Sequence, residues 1–150
     1  MMTPMWPLIV QQDSIHTCPP LTYLLIGGPP PTYTPSTPVQ HFLTSQLAHV
    51  SAFMTVCTGI LPALASGVLR SKTVTAPRSM IPMLRGKYPE TEFVGKRWVR
   101  DGKVWTSGGV TNGLDMMAAF MREGFGGESE LVETVLGMAD VGDRGQEYRT

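Results

Sequence analysis

Charge is missing from nearly half of this chain. Asp13 is the only Asp, Glu, Lys or Arg before Arg70, and every other charged residue lies from Arg70 onward. A segment so poor in charge is either interior strand and helix or surface covered by a partner. Over the whole chain 12 basic and 12 acidic side chains cancel, which argues against nucleic acid or anionic lipid as a direct partner. Cysteine is scarce. Cys18 and Cys57 alone make neither a disulfide framework nor a metal set, so a reducing, cytoplasmic setting is expected, with no metal and no cofactor. No uninterrupted apolar run is long enough for a membrane span. The uncharged stretch 43–69 is broken by Gln46, His49, Pro62 and several Ser, Thr and Gly, whereas a spanning helix wants about 20 predominantly apolar residues. No basic segment precedes an apolar one at the N-terminus, so no secretory leader is expected.

What is present suits one domain of 150 residues with a real core. Residues 6–10 form a strand candidate, and 11–20 are polar and turn-rich. Leu21-Thr22-Tyr23-Leu24-Leu25-Ile26 is a second strand, apolar throughout as for a parallel strand covered on both faces. It ends in Gly27-Gly28, where backbone N–H groups can approach a ligand, then in three prolines that stiffen the exit; a plain Gly/Pro turn is the other reading. A helix is expected over 39–48 with Phe42, Leu43 and Leu47 inward. Residues 72–75 suggest a short strand, and Pro77 a Met-rich helix ending before Pro89. Asp101-Gly102 between two alternating runs signals a hairpin. Ser107-Gly108-Gly109 forms a second glycine loop. Thr111 can cap a helix with Leu114, Met117, Ala118 and Met121 on one face. A last helix spans 128–138, and the polar tail from Val141 is expected to fray.

The chain is organised around residues 49–67. The first half reads as a buried strand and the second as a helix with Leu61, Leu64, Ala65 and Val68 on one face. Cys57-Thr58-Gly59 leaves no room for a loop between them. A strand turning so abruptly into a helix throws the side chain at the turn above the sheet edge, toward the free N–H groups of the helix start. There a thiolate is favoured, as in a nucleophile elbow with Cys in place of Ser. An inert core thiol is the alternative on this local pattern. Strands alternating with helices imply a mostly parallel α/β sheet with helices on both sides. Ligands bind such sheets beyond the carboxyl ends of the strands, so Gly27-Gly28 and Cys57 are expected to share one crevice.

Three separated motifs carry a resemblance. Thr55-Val56-Cys57-Thr58-Gly59 with Ala65-Ser66-Gly67-Val68-Leu69 resembles the nucleophile region of the DJ-one/ThiJ/PfpI superfamily, the class I glutamine-amidotransferase-like fold. Leu24-Leu25-Ile26-Gly27-Gly28 resembles its oxyanion-loop strand, and residues 97–115 resemble the hairpin, glycine loop and helix of the isocyanide-hydratase-like branch. The resemblance implies one flavodoxin-like, Rossmann-like three-layer sandwich, N-terminally truncated, with a recognisable core at about 21–124, an atypical segment 1–20 and a tail 141–150. It implies Cys57 as nucleophile, Gly28 and Thr58 backbone N–H groups as oxyanion donors, and the Thr58 hydroxyl beside the thiolate. Gly27, Ser107, Gly108 and Gly109 become pocket-lining candidates. The implied activity is hydration or hydrolysis of a small electrophile such as an isonitrile, by a homodimer; the alternatives are a non-catalytic sensor or interaction module, or a truncated product.

Two departures bear on that activity. Relatives carry an Asp or Glu from a first strand and helix near the cysteine, and here Asp13 does not match that motif, so that unit is expected to be absent or replaced. Many relatives also have a His after the nucleophile helix, where this chain reads Thr75-Ala76-Pro77. His49 is placed on the Cys57 strand, roughly 25 Å away at about 3.3 Å per residue, His41 on a surface helix and His16 in a loop. A lost strand is expected to leave an apolar sheet edge and self-association.

Overall fold

The computed structural model describes residues 14–126, 129–142 and 144–148; the strand expected at 6–10, Asp13 and Glu128 lie outside them. The apolar run before Gly27 forms β1 (Tyr23–Ile26), and the first half of the organising stretch forms β2 (Ala52–Val56). Between them runs α1 (Thr37–His49), with proline in its first turn, where a missing N–H leaves no bond unmade. His49 ends this helix instead of opening the strand. The Val50 amide donates to Gln46 O at 2.9 Å and closes the last turn, so the helical pattern persists past the expected boundary.

After β2 the chain makes a 3-10 turn at Cys57–Gly59 and then α2 (Ile60–Ala65). β3 (Thr73–Val74) and β4 (Glu92–Phe93) pair in parallel as a separate two-stranded sheet, joined through α3 (Ile81–Lys87). α3 begins later than Pro77 because Pro82 has no N–H to donate to the carbonyl four residues back; proline is tolerated only in the first turn. β5 (Trp98–Asp101) and β6 (Val104–Ser107) form the hairpin, with Asp101 opposite Val104. Its central residues are Gly102 and Lys103, one place later than the Asp-Gly signal suggests. Gly102 has φ +62° and Lys103 is not left-handed, the pattern of a type II′ turn with glycine first.

The main sheet has the order β1-β2-β6-β5. β1, β2 and β6 run parallel, and β5 is antiparallel to β6. One face packs Phe53, Val104 and Leu24 against α1 and α2 through Leu43, Ile60 and Leu64. The other packs Met54 and Trp105 against Met116 and Phe120 of α4 (Val110–Gly124), and α5 (Ser129–Met138) covers α4 through Val132 and Leu136. Each large apolar side chain fully buried this way contributes about 1.5–3 kcal/mol. The result is the mostly parallel three-layer sandwich expected from the sequence.

Three details differ from the sequence reading. Gly109, in extended conformation, precedes α4 and accepts from the Gly113 amide, so Thr111 lies inside the helix and is not its cap. Leu114 is exposed, because the helix turns Gly113 and Met116 inward. β1 is better covered on one face than on the other: on the α4 side Tyr23 and Leu25 are 49% and 52% exposed, with Tyr23 meeting Phe120 edge-on.

The tail does not fray over 144–148. Arg144 makes a two-point ion pair with the buried Asp115 at 3.1 and 2.7 Å. The Arg97 amide donates to Gln146 O at 2.7 Å, and Lys96 pairs with Glu147 at 2.8 Å. No helix among the described residues is long and apolar enough to cross a membrane.

Candidate active site

The abrupt junction read from the sequence is built at Cys57. β2 ends at Val56, and residue 57 takes φ +56°, the left-handed region that L-residues avoid at a cost of about 1–2 kcal/mol. The strain follows from the chain's path. Ile60 already donates its amide to Cys57 O as the next turn closes, so one residue must absorb the whole change of direction. The Cys57 side chain is partly exposed.

β1 pairs with β2 in register, Ile26 opposite Thr55, and this brings the first glycine loop to the elbow. A Cβ added at Gly28 would stand 2.6 Å from Thr58 Oγ1, 3.4 Å from the Thr58 amide nitrogen and 3.6 Å from Cys57 Cβ. Gly59 is pressed against the end of β1, where a Cβ would be driven into Ile26 O. These two glycines permit an approach that no side chain would allow. Gly28, Cys57 and Thr58 therefore lie together, as the shared crevice requires.

The other residues singled out from the sequence fall in different places. The Thr58 hydroxyl donates to Pro29 O at 2.6 Å, so its one proton ties down the proline exit of the loop and is not given to sulfur. Gly27 faces an apolar cleft of about 210 Å³ with Ile26, Pro29, Tyr33, Leu43 and Pro62. Ser107 is fully buried, and its hydroxyl donates to Thr55 O at 3.3 Å, beneath the site. Gly108 and Gly109 continue β6, which is in register with β2 through Val56 and Ser107, so Gly108 comes level with Cys57 across the ladder.

Sequence reasoning missed what stands over Gly108. A Cβ there would meet Ala76 O at 3.0 Å, Tyr148 Oη at 3.1 Å and Asn112 Nδ2 at 3.4 Å. The tyrosine comes from the tail, forty residues on in sequence, and no local pattern announces that return.

Three carboxylates, those of Asp101, Asp115 and Glu133, are held by partners of their own. Asp101 accepts from the Thr73 amide at 2.9 Å and Lys72 Nζ at 3.0 Å, bonds that hold its pKa below the usual 3.8. Asp115 pairs with Arg144, and Glu133 with Arg122, whose hydrogen bond lowers its pKa. His16 and His41 line a separate cleft of about 620 Å³ beside α1, together with Cys18. No cluster of three His, Cys, Asp or Glu side chains among the described residues is placed to hold a metal.

The chain is similar to known proteins. An isonitrile hydratase of Pseudomonas putida is 38% identical over 85 residues, which is 55% of this chain and 35% of that protein. The chain thus spans about a third of that relative. Among solved structures, an AraC family transcriptional regulator from Pseudomonas putida superposes with a TM-score of 0.69 at 19% identity, over 86% of this chain and 70% of the other. Drosophila melanogaster DJ-1beta superposes with a TM-score of 0.59 at 26% identity, over 71% of this chain and 55% of the other. The model of the DJ-1/PfpI family matches residues 15–123, the span holding the elbow and both glycine loops, and the chain belongs to that family.

Proposed function

We propose that this protein is a cysteine-dependent hydratase or hydrolase acting on a small electrophile of the isonitrile type, with Cys57 as nucleophile. One observation supports the reading above all others: the left-handed Cys57 at the end of β2, with Gly28 and the Thr58 amide packed beside it. A strained nucleophile on a rigid strand end, next to backbone N–H donors, is the arrangement that acyl- and imidoyl-transfer chemistry uses. On an isonitrile, the Cys57 sulfur attacks the terminal carbon and a proton is added to that carbon. Water then adds to the resulting thioimidate, and expulsion of the sulfur leaves an N-substituted formamide. The amides of Gly28 and Thr58 hold the negative charge that develops during attack. This reading places the protein in the reducing cytoplasm, where Cys57 stays a thiol, and as a homodimer.

The test is turnover of an alkyl isonitrile to the formamide by the purified chain and by Cys57→Ser and Cys57→Ala. Formation lost with both substitutions upholds the reading; formation unchanged by them ends it. A second reading is favoured by the engagement of Asp101, Asp115 and Glu133 away from Cys57, which leaves the proton donor unassigned. In it Cys57 is a redox or ligand sensor, seen as ready oxidation of Cys57 by peroxide to sulfinic acid with no turnover.

A further inference from the structure

The end of the sheet that carries Cys57 also carries two arginines. Across that end stand Gly28 after β1, Cys57 after β2 and Gly108 after β6. Antiparallel β5 starts at the same end, so Arg97, just before it, comes alongside Gly108; its carbonyl accepts from the Gly108 amide at 2.9 Å. The chain leaving β3 arrives there too. The Thr75 amide donates to Thr106 Oγ1 at 2.8 Å, Ala76 O lies against Gly108, and Arg78 follows two residues later. Both cations lie against the ring of Tyr148. Arg78 Cζ lies 4.4 Å and Arg97 Cζ 5.2 Å from its ring centre, and Asn112 Nδ2 donates to its Oη at 2.9 Å.

Neither guanidinium is matched by a carboxylate in an ion pair among the described residues. Arg97 gives one nitrogen to the carbonyls of Gly145 and Glu147, while the Glu147 carboxylate sits on Lys96. Two like charges on one phenol ring leave the Gly108 side of the crevice positive, with forked donors suited to a carboxylate. Neighbouring strands are about 4.8 Å apart. The stack beyond Gly108 is therefore about two such spacings from Cys57, within reach of a molecule of a few carbon atoms.

We infer that the Cys57 site takes a small electrophile bearing a carboxylate or similar anionic group, which is seated against Arg78 and Arg97 while its reactive carbon meets the sulfur. The inference rests on Cys57 acting as the nucleophile and adds the substrate's charge. The competing role for the arginines is to clamp Tyr148 and the tail, with no part in recognition.

Alkylation separates the two roles. Iodoacetate and iodoacetamide react alike: sulfur displaces iodide, a carbon–sulfur bond forms, and only the charge of the reagent differs. Rates at Cys57 and Cys18 are followed on the full chain by peptide mass spectrometry. The iodoacetate-to-iodoacetamide ratio is expected to be about tenfold higher at Cys57 than at Cys18 and to fall with added salt. Arg78→Gln should lower that ratio, and Arg78→Lys should keep part of it. Equal ratios at the two cysteines overturn the inference, as does an Arg78→Gln variant that slows both reagents alike, the behaviour of a clamp. If Cys57 reacts with neither reagent, the nucleophile reading fails by itself, and succinate decides the anion site. A thermal shift with succinate larger in the native chain than in Arg78→Gln upholds the site, and equal shifts overturn it.

Discussion

Replacing Cys57 by glycine should make the protein more stable than replacing it by alanine. Both substitutions remove the same partly exposed sulfur, so packing losses nearly cancel in the comparison. What remains is the backbone. At φ +56° an alanine carries a left-handed penalty of about 1–2 kcal/mol, while glycine carries almost none. Against this, glycine gives the unfolded chain more freedom, worth about 0.4–1 kcal/mol. The net advantage for Cys57→Gly is then about 0.5–1 kcal/mol, or ~2 °C in Tm for a domain of this size. Urea melts of the two variants under one set of conditions give the difference directly, provided their slopes agree. An alanine variant as stable as the glycine variant, or more so, would show that the elbow is not strained, and the case for a nucleophile held by its backbone would lose its main support.

Gly59→Ala should destabilise by about 2–4 kcal/mol, because the new methyl would be driven into Ile26 O, whereas Gly137→Ala in α5, with nothing nearby, should be neutral or gain up to ~1 kcal/mol; urea midpoints measure both. Asp101 is held below its usual pKa by the Thr73 amide first and Lys72 second, so the stability it contributes is complete above the unfolded value of 3.8 and is lost as pH falls through the lower folded value. The stability gap between the native chain and Asp101→Asn should therefore be constant near neutrality and close in acid; a gap that widens there refutes the assignment. Arg144→Ala strands the buried Asp115 carboxylate and should lower stability by about 1–3 kcal/mol, against about 0–1 kcal/mol for Lys96→Ala at an exposed pair, read from thermal melts of both.

The elbow, both glycine loops and the layer order were legible because each is local. Apolar runs bounded by glycine and proline mark β1 and β2, and Cys57-Thr58-Gly59 leaves no residues for a loop. Element ends were less legible where two signals compete. Pro77 and Pro82 both mark a helix start, and only the missing N–H of Pro82 decides between them. Asp101-Gly102 marks the hairpin, but the register of Asp101 with Val104 places its turn one residue later. The arginine and tyrosine stack was not legible at all. Arg78, Arg97, Asn112 and Tyr148 meet only because the tail returns over Gly108, an outcome decided by the Arg144–Asp115 pair and three carbonyls around Arg97. Charge in a polar tail reads as solvated surface until its partners are known.

The position of β1 at one end of the strand order has a mechanical consequence. Its partner on one side is β2, and Gly28 hangs from its end, two residues past Ile26. Among the described residues, the loop that shapes the crevice is thus borne by an edge strand of the main sheet, like a shelf bracketed at one side. Whatever docks along Tyr23 and Leu25 would stiffen that bracket. Any shift of β1 would be felt, through Ile26 and Gly27, at the Gly28 backbone that packs against Thr58 and Cys57.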